Sequence, residues 1–121
     1  MLKLPITYVD YDDKERTEEF QFNLSQAEVT EMELSTDGGL VQKINKIVAS
    51  QDGAEIIKLF KEIILKAYGE KSPDGKKFVK NQELSIAFSQ TEAYSQLFML
   101  LSTNAEEASK FINAVLPKVK E

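Results

Sequence analysis

Hydrophobic residues fall at every second position in two short stretches near the start of the chain. Leu4, Ile6 and Tyr8 alternate with polar or turn-prone neighbours, and so do Phe20, Phe22 and Leu24. That period belongs to half-buried strands, and the polar link Asp10–Glu15 is rich in turn formers, so the segment predicts a β-hairpin. Two strands are barely stable alone in water, which requires the apolar face of the hairpin to pack on other elements.

Beyond residue 24 the period lengthens to that of a helix. Leu40, Ile44, Ile47 and Val48 line one face of a helix ending near Gln51. Ile56, Ile57, Phe60, Ile63, Ile64 and Tyr68 line the next, with Glu55–Lys58, Lys58–Glu62 and Glu62–Lys66 spaced for ion pairs and Gly69 placed as its C-cap. Leu84 and Phe88 mark a short helix. Tyr94, Leu97, Phe98 and Leu101 form a further stripe, and Ala108, Phe111, Ile112 and Val115 the last, stopped by Pro117. Four capping boxes punctuate this pattern: Ser25–Glu28, Asp52–Glu55, Ser89–Glu92 and Asn104–Glu107. In each, a capping side chain precedes a glutamate by three residues, so the two can satisfy each other's backbone amides. The one long irregular stretch, Glu70–Lys80, centres on Ser72-Pro73-Asp74-Gly75, whose proline and glycine suit a type I turn. The expected fold is α+β and mostly α. An N-terminal β-hairpin (1–24) packs on a compact bundle of about five to six helices (25–117), a charged tail (118–121) follows, and all of it forms a single domain.

Composition narrows the chemistry. The 121 residues include neither cysteine nor histidine, which excludes disulfides, thiolate nucleophiles, Ser–His and Cys–His catalysis and the commonest metal ligand. A cysteine-free chain fits a reducing cytosol. No signal peptide follows Met1, and the longest purely apolar run, Leu97–Leu101, is far too short to span a membrane, so a soluble protein is expected. The net charge is −5, unevenly placed: residues 1–37 hold ten of the twenty acids and three of the fifteen bases. Without a clustered basic surface, nucleic acid is not an expected partner.

The constellations that suggest chemistry fail on inspection. Asp10, Asp12 and Asp13 begin like a calcium loop, but Lys14, Glu15 and Gln21 stand where a ligand, a glycine and a glutamate are needed. Gly69–Lys77 has the wrong spacing for a phosphate loop and carries Lys77 where a hydroxyl should be. Its lysines, with Lys80, read as an exposed polar loop. Paired acids such as Glu18-Glu19 and Glu106-Glu107 read as solvated surface. No catalytic, cofactor-binding or metal-binding residue is expected, and the chain reads as a non-enzyme. One stretch exceeds the needs of a single buried stripe, because every residue of Leu97–Leu101 is apolar. It is either a helix buried on most sides or a patch for self-association or a partner. Phe98, Met99, Leu100 and Phe111 are the candidate partner-binding residues.

Several phrases together carry a likeness to a known family: ITYVDYDDKERTEEFQFNLS (Ile6–Ser25), AEVTEMELSTDGGL (Ala27–Leu40), QDGAEIIKLFKEIILKAYGEKSPDGKKF (Gln51–Phe78) and FSQTEAYSQLFMLL (Phe88–Leu101). In their order and spacing the chain resembles the tail assembly chaperones of siphophages and prophages of Gram-positive bacteria. The resemblance implies a non-enzymatic protein of the infected host cell's cytoplasm, absent from the mature virion. It would coat the phage tape measure protein and recruit tail tube subunits. It also implies an acidic residue near Leu100, where the leucine instead enlarges the apolar patch. The alternatives are a structural tail completion or terminator component, and an acidic regulatory protein-binding module.

Overall fold

The computed structural model describes residues 1–35 and 39–117. The expected tail Lys118–Glu121 and the side chains of Leu40 and Val48 lie outside the described residues. The hairpin forms as the alternation predicts, from β1 (Leu2–Val9) and β2 (Glu15–Phe22), antiparallel with Leu4 opposite Phe20 and Ile6 opposite Glu18. Its loop closes because Asp13 adopts φ 60, a left-handed conformation that Asp tolerates. The Asp10 carboxylate meanwhile accepts the amides of Asp12 and Lys14 at 2.9 and 3.0 Å and pairs with Arg16. The Arg16 guanidinium, followed by the Lys14 amide, holds the Asp10 carboxyl below its usual value.

The sheet has four strands among the described residues, in the order β1-β2-β3-β4. The second pair, β3 (Tyr68–Lys71) and β4 (Phe78–Val79), lies in the stretch expected to be a helix end and an irregular loop. Gly69 is therefore not a C-cap. Tyr68 is already extended at φ −66, ψ 139, and Gly69 pairs with Gln21. Glycine is needed there for closeness, since a Cβ would sit 2.7 Å from both the Phe78 ring and the Val79 carbonyl oxygen. The Ser72–Gly75 turn between the strands does form, with the Gly75 amide donating to the Ser72 carbonyl at 2.9 Å. At the opposite margin β1 is an edge strand. Pro5 has no N–H, and the Asp10 amide donates across the hairpin to the Lys14 carbonyl at 2.9 Å. Residues of even number thus bond to β2, and the nitrogen of Pro5 faces the open edge.

Among the described residues there are six helices, α1 (Gln26–Ser35), α2 (Leu40–Ser50), α3 (Gly53–Ala67), α4 (Gln82–Ser89), α5 (Glu92–Thr103) and α6 (Ala105–Val115), of which α5 and α6 pack on β1 and α4 on β3. The Ser25–Glu28 box is reciprocal, each backbone amide donating to the other's side chain at 3.0 and 3.1 Å. Asp52 and Asn104 cap α3 and α6 as expected. The third box is displaced. Thr91, not Ser89, accepts the Tyr94 amide at 3.1 Å, while the Ser89 hydroxyl donates back to the Ile86 carbonyl. Ser89 is the last residue of α4 and so lacks the extended backbone that a cap requires, which Thr91 has at φ −95, ψ 154. Asn81 caps α4 through the Leu84 amide at 2.8 Å. None of the expected ion pairs along α3 closes, since exposed long side chains gain little by being held in place. Ile57 is exposed rather than on the buried stripe.

The core lies where the sheet meets the helices, around aromatic rings from distant parts of the chain. Tyr68 and Phe88 stack at 4.2 Å, and Phe22 meets Tyr68, Phe88 and Phe111 edge-on at 5.8, 5.7 and 5.4 Å. Edge-to-face and stacked pairs of this kind add about 1 kcal/mol each to what area burial contributes. A polar clasp seals the margin. Lys80, expected in an exposed loop, donates instead to the Asn23 carbonyl and to both Glu28 carboxylate oxygens, at 2.9 and 2.7 Å. Desolvation pushes the Glu28 carboxyl up, but the Lys80 ammonium and the Ser25 amide outweigh it, and the net shift is downward.

Candidate partner-binding surface

The apolar run Leu97–Leu101 divides between inside and outside according to helical spacing. Ala93, Leu97 and Leu101 recur every fourth residue on α5 and are buried against β1, α3 and α6. Phe98 is partly buried, its ring 5.9 Å from that of Tyr94. Met99 and Leu100 face outward, 54% and 43% exposed. Gln96 and Thr103 share that outward arc, and from Ala93 to Thr103 the helix carries no charge. The hydroxyls of Ser102 and Thr103 each turn back to donate to a carbonyl of their own helix at 2.6 Å, which leaves no free hydroxyl donor there. Phe111 belongs to the interior, 4% exposed and packed edge-on against Phe22. Of the four candidate residues, then, two are surface, one is at the margin and one is core.

Leu100 and Phe111 nevertheless meet. They line a small hollow of about 180 Å³ between α5, α6 and the first residues of β1, together with Leu2, Leu4, Leu97, Leu101 and Ala114. Glu107 and Lys110 stand on its margin, 3.8 Å apart.

A larger apolar groove lies on the other side of α6. It has a volume of about 710 Å³. Ile44, Asn45 and Ala49 of α2 form one wall, Ile56 and Phe60 of α3 the floor, and the end of α5 with Ala105, Ala108, Ser109, Ile112, Asn113 and Leu116 the opposite wall. None of its lining residues is charged. The sequence pattern assigned Ile44, Phe60, Ala108 and Ile112 to buried stripes and so did not separate this groove from the core. The available signal was the run of small residues on α6, where Ala105, Ala108 and Ser109 share a face and leave the space that larger side chains would fill. A groove of this shape and polarity receives apolar side chains from one face of a helix.

Among the described residues no group of acids is placed to hold a metal ion, and no helix is long and apolar enough to cross a membrane. The Asp10 carboxylate of the hairpin loop is occupied locally by two loop amides and Arg16. What the surface offers is apolar relief on a charged body, suited to binding protein. No curated protein and no solved structure gives a significant match to the chain. The sequence model of the phage tail assembly chaperone family matches residues 1–119, nearly the whole length, and the chain belongs to that family.

Proposed function

We propose that the protein binds the phage tape measure protein by seating an apolar helical stripe in the groove between α2, α3 and α6. It acts by binding alone, without catalysis. In this reading it works in the cytoplasm of the bacterial host, shields the tape measure protein while the tail is built, helps recruit tail tube subunits, and leaves before the virion matures. The observation that carries the reading is the groove itself: about 710 Å³ of apolar relief with no charged side chain in its lining. A helix whose exposed stripe would otherwise aggregate finds a matching surface there, and the charged exterior of the chain keeps the complex in solution.

Co-expression with the tape measure protein tests it. Ser109 lies on the exposed wall of the groove, so Ser109→Asp places a charge inside it without disturbing buried packing. The variant is expected to keep its helical circular dichroism while the tape measure protein moves to the insoluble fraction. Undiminished solubilisation by a folded Ser109→Asp would refute the groove as the binding site. Mass spectrometry of purified particles tests the departure from the virion; stoichiometric recovery there would favour a tail completion or terminator component.

A further inference from the structure

We propose that the face carrying Met99 and Leu100 is covered by a second copy of this chain, related by a two-fold axis, in a contact separate from the groove. Three observations lead there. Met99 and Leu100 are large, apolar and about half exposed, on a helix face without charge. Beside them lies the 180 Å³ apolar hollow, with Leu100 on its rim. An apolar space of about 150 Å³ accommodates a benzene-sized group, so this one accepts an aliphatic side chain. A knob and a hole on the same face are what an isologous contact needs, since each copy presents both to the other.

Charge selects the occupant. The hollow is flanked by one acid and one base, Glu107 and Lys110. A two-fold axis sets Glu107 against the partner's Lys110, and Lys110 against the partner's Glu107, so the rim is complementary to itself. Their internal pairing is loose, at 3.8 Å with side chains 42% and 65% exposed, Lys110 is shared with the exposed Glu106 at 3.6 Å, and such surface pairs are readily exchanged. Elsewhere a chain of net charge −5 repels its own copies. The hollow's own lining, where Glu107 and Lys110 balance, and the uncharged helix face form a place where two copies meet with less of that penalty. A foreign partner would have no reason to match an acid–base pair at this spacing, whereas a second copy does so by symmetry.

Sedimentation velocity across a concentration series tests this on the whole chain. The wild-type protein is expected to sediment as a dimer at about 100 μM, the weak end of specific association. Leu100→Glu should weaken the dimer by about 100-fold, because symmetry buries two carboxylates. Its circular dichroism should stay native, since Leu100 is already 43% exposed and lies outside the buried core. Lys110→Glu sets like charges together across the axis and should also favour monomer. Adding Glu107→Lys to it exchanges the two charges and should restore the dimer, a rescue that mere damage to α6 would not allow. Ser109→Asp, on the other side of α6, should leave the dimer intact, which separates a failure here from a failure of the groove. A monomeric wild-type protein at all concentrations overturns the proposal. So does failure of the charge exchange to rescue. Loss of tape-measure solubilisation by Leu100→Glu in a protein that is monomeric throughout would overturn it as well, and assign the face to that partner.

Discussion

Replacing Lys80 with alanine removes one ammonium group from three oxygen acceptors at once: the Asn23 carbonyl at the end of β2 and both carboxylate oxygens of Glu28 on α1. A charge-assisted hydrogen bond contributes about 1.5–3 kcal/mol, and breaking a fully buried ion pair costs about 3–5 kcal/mol. Here the two side chains retain 19% and 29% exposure, so water compensates in part. The expected loss is about 2 kcal/mol, or roughly 8 °C in Tm for a domain of this size. Thermal and urea denaturation followed by circular dichroism at neutral pH measure it. A double-mutant cycle with Lys80→Met and Glu28→Gln isolates the pair, with a coupling of about 1–2 kcal/mol expected. Acid gives a second reading. The folded pKa of Glu28 lies below its ordinary value of 4.5. The stabilisation is therefore complete above that value and is lost as pH falls through the lower folded one. The deficit of Lys80→Ala should shrink over that acidic range. A loss below about 0.5 kcal/mol, the ordinary effect of a surface change, would refute the clasp. So would a deficit that does not diminish in acid.

Glycine substitutions should separate by position. Gly69→Ala drives a methyl into the Phe78 ring and the Val79 carbonyl and should cost about 1–3 kcal/mol, whereas Gly53→Ala opens into free space in the first turn of α3 and should stabilise by about 0.5–1 kcal/mol; urea midpoints distinguish them. Phe111→Ala should destabilise by about 3–5 kcal/mol as a core truncation, while Met99→Ala should stay within about 0.5 kcal/mol; equal effects in thermal melts would contradict the division of the four candidate residues between interior and surface.

Local signals in the sequence carried most of the helices. Capping boxes and apolar stripes depend only on residues within a turn or two, and Ser25–Glu28, Asp52 and Asn104 cap as their spacing predicts. The second half of the sheet was illegible because its cause is distant. Gly69 reads as a helix stop in its own neighbourhood, and becomes a strand residue through Gln21, Phe78 and Val79. Lys80 likewise belongs to a basic loop until Glu28 and Asn23 are brought beside it. For the candidate surface, periodicity left Met99 off the buried stripe but gave no sign that Phe111 is both buried and part of the wall of a hollow. The groove escaped notice for a related reason, since small residues show where side chains are absent and a stripe pattern records only where they are present.

The proline at the open margin of the sheet bears on how such a protein survives its surroundings. An eight-residue edge strand offers a row of backbone donors and acceptors that any extended chain could join. With the nitrogen of Pro5 set midway along that row, an incoming strand meets a missing donor at the centre of its ladder. The sheet is thus terminated at its outer side, where a bare backbone edge would pair with other strands without discriminating between them.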